Sequence, residues 1–231
     1  MKWLFLVVVF LQTSSLYCDS TKDDYVIGIH GFLGHPSTMH FLKKRLQKEG
    51  WEMINWKYPS RDRTIQEHAQ KLVTNMQDWA SKKPMRPLHF VAHSMGCLVL
   101  RAALNHPACP YEAKIGKAVL FAPPNQGTAW GRCLRYVPFV KKIAKDAAGK
   151  ELMTEKDFQH LGDFPSSVRV LVIAGNAGFN PFIPGENDGT IGVDETYLNT
   201  PHEHRIVDAS HKSIVFNKKA YKLTKYFLEI E

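Results

Sequence analysis

One short stretch, residues 88–104, constrains the fold of this chain more than any other. Residues 88–92 are largely apolar and have the length of a buried parallel strand, and residues 95–104 carry apolar side chains at helical spacing. No turn residues separate the two, so the chain must bend sharply, with the residue at the bend strained and its side chain projecting outward. Ser94 occupies this bend at a helix N-terminus, where free N–H groups favour a developing anion, and is therefore a candidate nucleophile.

Small residues lie on either side of Ser94, where the strand and helix backbones must pass close together. These residues are Ala92 and Gly96. A chance serine in a strand–turn–helix unit is the alternative interpretation of the five residues 92–96. The segments on both sides favour a catalytic serine.

A glycine-containing turn, HGFLG at residues 30–34, follows a first strand predicted over residues 25–29. Open α/β sheets build their sites at the carboxyl ends of such strands, and two glycines let the backbone direct its N–H groups inward. We expect the N–H groups of Phe32 and Met95 to form an oxyanion hole. The alternative is a plain turn between a strand and a helix.

Strands and helices alternate along the rest of the chain. Further strands are predicted over residues 51–56, 116–122, 168–174 and 204–207, and helices over residues 36–50, 64–82, 138–148 and 213–228. This alternation predicts an α/β fold with a mostly parallel sheet of about six strands and helices on both faces. Residues 127–166 interrupt the alternation and contain no clear strand.

A serine nucleophile needs a base within hydrogen-bond reach and an acid that fixes the tautomer of the base. His211 lies between the last strand and the last helix, at the same edge of the predicted sheet as Ser94. Asp188 is the best-placed acid, because it follows the fifth strand and its glycine neighbour allows a tight turn. Asp194 and Asp208 are the alternatives, and the NDG sequence could also be a surface turn.

The remaining histidines fit the role of the base less well. His30 and His93 flank the two oxyanion donors and are expected either to line the pocket or to support the residues that do, whereas His202 and His204 lie before or within the last strand. No group of cysteines and histidines has the spacing of a zinc site, so the sequence predicts no metal.

With these motifs, the chain resembles the small bacterial esterase and lipase family of the α/β-hydrolase superfamily. The matching sequences are HGFLG, YPSR, HFVAHSMG, LFAPPNQGT, IAGNAGFNPFIPGENDGTIGV and the late SH, in the usual order over residues 25–230. AHSMG corresponds to the nucleophile elbow G-x-S-x-G, with Ala92 at the first glycine and Cys97 where a second glycine often follows. The resemblance implies an α/β-hydrolase fold and a triad of Ser94, Asp188 and His211.

The resemblance further implies hydrolysis of carboxylic, lipid-like esters through an acyl-enzyme, with no cofactor. Acyltransferases and thioesterases use the same triad, so both stay open as alternatives. A non-catalytic lipid-binding protein with this fold is a third alternative, although such proteins usually lack a member of the triad.

The charge of the chain suggests its partners. A formal net charge of +8 favours anionic membrane surfaces beside the ester or lipid substrate, and the scattered basic residues lack the pattern of a nucleic-acid binder. We expect a monomer.

In the superfamily, a segment such as residues 127–166 often forms a cap, and here an apolar stripe has Lys141, Lys142 and Lys145 on its flank. This pattern fits a helix at a membrane surface or a helix packed on the sheet.

The first residues have the pattern of an export signal. Lys2 precedes an apolar run over residues 3–11, which predicts a signal peptide over residues 1–18 and one catalytic domain over residues 19–231. The protein is expected to be periplasmic or secreted. Lipoprotein processing at Cys18 is a poorer fit, because Tyr17 is not small. Cys109 and Cys133 could form a disulfide, but the sequence does not decide this.

Overall fold

Six parallel strands form a single sheet in the structure, a computed structural model that describes residues 23–144 and 147–230. The strands are β1 (Tyr25–Ile29), β2 (Glu52–Asn55), β3 (Leu88–His93), β4 (Lys117–Phe121), β5 (Arg169–Gly175) and β6 (Glu203–Val207). They lie in the order β2-β1-β3-β4-β5-β6, and each pair of neighbours is parallel. All six carboxyl ends therefore meet at one edge of the sheet, where sites form in such folds.

Helices cover both faces of this sheet. The α-helices are α1 (His40–Lys48), α2 (Ile65–Lys82), α3 (Met95–Leu104), α4 (Tyr111–Lys114), α5 (Ala129–Leu134), α6 (Pro138–Ala144), α7 (Ala148–Thr154) and α8 (Lys218–Glu229). Short 3-10 helices span Pro36–Met39, Gln159–Leu161, Asp194–Thr196 and Ile214–Phe216. The predicted architecture, a parallel sheet between two layers of helices, is confirmed.

Alternating side chains of the strands separate the core into two layers. Ile27 of β1 packs with Leu72 of α2 and Leu98 of α3 on one face. Val26 packs with α1 and α8 on the other face. Because successive side chains of a strand point to opposite faces, strands that are apolar throughout fill both layers.

The start of α2 is fixed by its own sequence. The hydroxyl of Thr64 accepts a hydrogen bond from Glu67 N–H, and the Glu67 carboxylate accepts one from Thr64 N–H. This reciprocal pair satisfies two N–H groups that the first helical turn leaves free, so the helix predicted over residues 64–82 begins where expected.

The single helix predicted over residues 138–148 is wrong. Helix α6 ends at Ala144 and α7 begins at Ala148, so Gly149 lies inside α7 and does not end a helix. A Cβ atom on residue 149 would lie 2.7 Å from both Ala144 Cα and Phe32 Cζ. The glycine is therefore needed for close packing between α7, α6 and Phe32.

The helix predicted over residues 213–228 also has a different start. A 3-10 helix spans Ile214–Phe216, and α8 begins only after Asn217. The Asn217 side chain accepts hydrogen bonds from the N–H groups of Lys219 and Ala220, so it caps a new helix at this point.

The predicted signal peptide at residues 1–18, with Cys18, lies outside the described residues. Within the described part of the chain, no helix combines the length and the apolar character needed to cross a membrane. Cys97, Cys109 and Cys133 are free thiols, so the structure does not contain the disulfide that the sequence left open.

Candidate active site

Ser94 lies at the sharp bend between β3 and α3. Its backbone has φ 53° and ψ −127°, a conformation that side-chain-bearing residues rarely adopt. A Cβ atom on residue 96 would lie 2.6 Å from the carbonyl oxygen of His30, which explains the need for glycine two positions later. The bend thus presents Ser94 Oγ at the carboxyl edge of the sheet.

The loop after β6 brings His211 to this serine. His211 Nε2 lies 3.0 Å from Ser94 Oγ, and His211 Nδ1 lies 2.7 Å from Oδ2 of Asp188. With Nδ1–H donating to the carboxylate, Nε2 is left as the acceptor for the serine hydroxyl. The structure therefore places His211 in contact with both Ser94 and Asp188, the three residues predicted to form a triad.

Asp188 is held in place by the turn that follows it. Its Oδ1 atom accepts hydrogen bonds from the N–H groups of Thr190 and Ile191, at 2.9 and 2.7 Å. The side chain is buried, whereas Asp194 and Asp208 are exposed. Of the three acids considered from the sequence, Asp188, the one favoured there, is the one whose carboxylate contacts His211.

The turn after β1 passes directly over the serine. A Cβ atom on Gly31 would lie 2.9 Å from Ser94 Cβ, so only glycine allows this approach. Phe32 follows in the same turn, and Met95 is the first residue of α3, whose N–H has no acceptor one turn earlier in the helix. Phe32 lines the same cavity as Ser94, and Met95 directly follows Ser94 in the chain, so both predicted donors belong to segments that border the serine.

His30 and Tyr58 hold this turn in place through hydrogen bonds and ring stacking. His30 Nδ1 lies 3.0 Å from the Gly31 carbonyl oxygen, and the Tyr58 hydroxyl donates to the His30 carbonyl oxygen at 2.5 Å. The two rings are stacked with centroids 4.3 Å apart, and burial lowers the pKa of His30. The sequence placed Tyr58 only in a matching motif, YPSR, and assigned it no role.

His93 links the base to the segment that carries the nucleophile. Its Nε2–H donates to the main-chain carbonyl oxygen of His211 at 2.9 Å. Burial and the neighbouring His211 lower the pKa of His93 to about 3, so this imidazole stays neutral near pH 7. The sequence predicted that His93 either lines the pocket or supports the residues that do, and its side chain contacts the base rather than lining the cavity.

Glu195 is a residue that the sequence analysis missed. Its carboxylate accepts hydrogen bonds from Gly192 N–H at 2.8 Å and from Ala129 N–H at the start of α5. Burial raises its pKa. The side chain thereby connects the loop of Asp188 to α5, but nothing in the sequence distinguishes it from the exposed neighbour Asp194.

An apolar cavity of about 350 Å³ opens at Ser94 and His211. Its walls come from the turn after β1 and from α5, α6 and α7, within the segment predicted to form a cap. The apolar side chains that line it include Phe32, Leu134, Val140, Ile143, Leu152 and Met153. Its volume and apolar lining suit an apolar chain attached to a group at Ser94.

Two comparisons by sequence, with protein-family models and with curated proteins, find no match for this chain. No model of a protein family matches it. No curated protein matches it either.

Comparison by structure finds similar folds. The mature form of the Bacillus licheniformis lipase BlEst2 superposes with a TM-score of 0.74 at 17% identity, over 89% of this chain and 91% of that one. The Pyrococcus furiosus esterase Pf2001 gives 0.61 at 18% identity, over 90% and 82%. Aspergillus fumigatus lipase B gives 0.65 at 13% identity, over 90% and 53%. The chain has the α/β-hydrolase fold of these lipases and esterases, as predicted.

Proposed function

We propose that this protein hydrolyses carboxylic esters with an apolar acyl chain through an acyl-enzyme on Ser94. The observation that carries the proposal is the hydrogen-bonded series from Ser94 Oγ through His211 to Asp188, with contacts of 3.0 and 2.7 Å. This series lies at the mouth of an apolar cavity on a fold shared with lipases and esterases. Nucleophile, base and orienting acid are the groups that acyl transfer requires.

The reaction proceeds in two halves. His211 Nε2 accepts the hydroxyl proton as Ser94 Oγ attacks the acyl carbon, and Asp188 stabilises the imidazolium that forms. The N–H groups of Phe32 and Met95 hold the oxyanion, where the loss of one donor costs about 3–4 kcal/mol. His211 then protonates the leaving alcohol, and water attacks the acyl-enzyme by the same steps.

The acyl acceptor distinguishes hydrolysis from acyl transfer, and the leaving group distinguishes an esterase from a thioesterase. An acyltransferase would pass the acyl group from Ser94 to an alcohol, and a thioesterase would release a thiol in the first half. Product analysis with and without added alcohol separates transfer from hydrolysis, and paired ester and thioester substrates separate the two leaving groups.

We further propose that the protein is exported and works at lipid surfaces. Apolar side chains lie exposed around the edge that carries the cavity: Leu33, Phe139 and Phe179 are 59%, 71% and 90% exposed. Such a cluster suits contact with lipid, and the net charge of +8 adds attraction to anionic headgroups. Of the lysines predicted to take part, Lys142 is exposed, whereas Lys145 and the side chain of Lys141 lie outside the described residues.

The test is turnover of a short-chain chromogenic ester by the parent, Ser94→Ala and Ser166→Ala. Loss of a triad nucleophile costs on the order of a millionfold in kcat, so Ser94→Ala should be inactive. Ser166 is an exposed serine in the loop before β5, and its replacement should leave turnover unchanged. Near-parental activity in Ser94→Ala would refute the assignment of the nucleophile.

A further inference from the structure

One charged side chain lines the otherwise apolar and neutral cavity. Among the described residues that form its wall, Lys212 is the one lysine, arginine, aspartate or glutamate. It directly follows His211 in the chain and is exposed. A cation at the mouth of an apolar cavity fits a ligand that is apolar at one end and anionic near the other.

Lys212 also has no partner of its own. Within the described residues, its ammonium group makes no hydrogen bond and no ion pair. By contrast, Lys82 and Lys225 are paired with carboxylates at 2.6 Å. The charge of Lys212 is therefore available to a ligand at no cost from breaking an internal contact.

The position of Lys212 indicates which part of an ester it would meet. His211 Nε2 faces Ser94 Oγ and must also face the leaving oxygen, since it gives that atom its proton. The apolar walls take the acyl chain, so the leaving alcohol extends from the base toward the mouth. Lys212 lies at this mouth, one residue from the base.

A second groove lies beside the turn after β1, and it carries positive charge as Lys212 does. Its volume is about 530 Å³, and it meets the acyl cavity at Leu33. Lys57 and Arg61 line it, and Asp62 lies 3.9 Å from the Arg61 guanidinium. This adjoining groove is therefore more cationic than anionic, which favours an anionic ligand.

We propose that Lys212 selects esters whose leaving alcohol carries an anion, such as a phosphate. This inference rests on the proposed ester hydrolysis and names its substrate class. The ammonium group attracts the anion of the leaving group and thereby aligns the scissile ester with Ser94. Lys212 is thus a specificity-determining residue and takes no part in proton transfer.

The test uses two soluble esters with the same short acyl chain. Their leaving phenols have matched acidity, and only one of them carries a phosphate. In Lys212→Gln, the ratio of kcat/KM for the phosphate-bearing ester to kcat/KM for the neutral ester should fall about three- to fivefold, as expected for loss of an exposed ion pair. Lys212→Glu should lower kcat/KM for the phosphate-bearing ester, relative to the neutral ester, still further.

Lys44→Gln is the matched control. Lys44 is an exposed residue of α1, and its replacement removes the same charge without touching either cavity. The control should leave the ratio of the two kcat/KM values unchanged. Equal changes for both substrates in Lys212→Gln, or a ratio equal to that of the control, would overturn the proposal. Absence of neutral-ester hydrolysis in the parent would instead refute the proposed function.

A second pair of substrates separates a lipid headgroup from a soluble phosphate. Mixed micelles carry either a phospholipid or a diacylglycerol of the same acyl chains. If Lys212→Gln selectively lowers turnover of the phosphate-bearing substrate in both pairs, the preference extends to lipid headgroups. If it does so in the soluble pair alone, the preference is limited to soluble esters. A loss on the micellar pair alone would mean attraction to the charged surface and would overturn the proposal.

Discussion

Four polar groups of His211 are each held by a separate hydrogen bond. Its main-chain N–H donates to the carbonyl oxygen of Asp188 at 2.9 Å, and its carbonyl accepts from His93 at 2.9 Å. The two ring nitrogens meet Asp188 and Ser94. The base lies in a loop, so these contacts replace the rigidity that a helix or strand would supply.

Replacing His93 should therefore disturb the base without removing a reacting group. In His93→Leu, the carbonyl of His211 loses its donor and the ring can shift from Ser94. We expect kcat to fall about ten- to a hundredfold with little change in KM, because misplacement of a catalytic group acts on the chemical step. Steady-state kinetics on a soluble ester measure both constants.

His93→Gln is the conservative counterpart, since its amide can place a donor near the position of Nε2. It should recover a large part of kcat, and both variants should retain the parental unfolding temperature within a few degrees. Equal loss in the Leu and Gln variants would contradict a positioning role for this hydrogen bond.

At the residue level, the sequence could predict Ser94 and His211 because each follows a recognisable strand. It favoured Asp188 because of the glycine that follows, but Asp194 and Asp208 stayed open, because the loop between β5 and β6 has no periodic pattern that fixes the direction of a side chain. Glu195 could not be found at all. Its role depends on Ala129 lying next to Gly192, a contact that only the folded chain creates.

At the level of elements, helix α6 divides its apolar residues between two environments. Val140 and Ile143 line the acyl cavity, whereas Phe139 is exposed. The sequence pattern showed an apolar stripe but could not show which part would face the cavity and which the solvent. That division depends on where α5 and α7 pack, and hence on Gly149.

The exposed rings of Phe139 and Phe179, around the edge of the sheet that carries the cavity, give a prediction for lipid binding. The double variant Phe139→Ser and Phe179→Ser should reduce binding to anionic vesicles at least about tenfold, because each exposed ring can bury a large apolar area in lipid. Turnover of a soluble short-chain ester should hardly change. Vesicle sedimentation at fixed salt measures the binding.

Met85→Ser with Tyr111→Ser is the control pair. These two residues are 70% and 58% exposed and lie near the amino ends of β3 and β4, at the opposite edge of the sheet. Equal loss of vesicle binding in the two double variants would show that the binding does not depend on the edge with the cavity.

At the level of the whole molecule, histidines shielded from water are held in neutral form, with His68 buried and His204 half-buried. Burial is the main cause that lowers the pKa of His68 to about 4, and that of His204 also to about 4. In the unfolded chain an ordinary histidine titrates near 6.5, so acid protonates the unfolded state first. Their contribution to stability is therefore complete above about pH 6.5 and is lost as the pH falls toward 4.

His68→Leu should make stability less dependent on pH. Between neutral pH and about pH 5, His68 alone should cost the parent on the order of 1–2 kcal/mol of unfolding free energy, and the variant should escape this loss. The exposed His40 is the control, and His40→Leu should keep the parental pH dependence. Urea unfolding at both pH values measures the change in unfolding free energy. An equal change in the parent and in His68→Leu would contradict this assignment.

The overall architecture could be predicted from the sequence more fully than single residues or single helices. The alternation of apolar strands with amphipathic helices fixes a parallel sheet covered on both faces, because parallel neighbours need helical crossovers. The cavity was not predictable in this way. Its walls come from three short helices whose packing depends on single contacts, such as Gly149 against Phe32.

The most direct test of the central claim is labelling by a fluorophosphonate probe, followed by mass spectrometry of the peptides. Such a probe reacts with a serine only when a base activates it. The account predicts one adduct per chain, located on Ser94, and no adduct in Ser94→Ala. An adduct on a different serine, or an unlabelled but folded parent, would contradict the claim that Ser94, His211 and Asp188 form a working catalytic site.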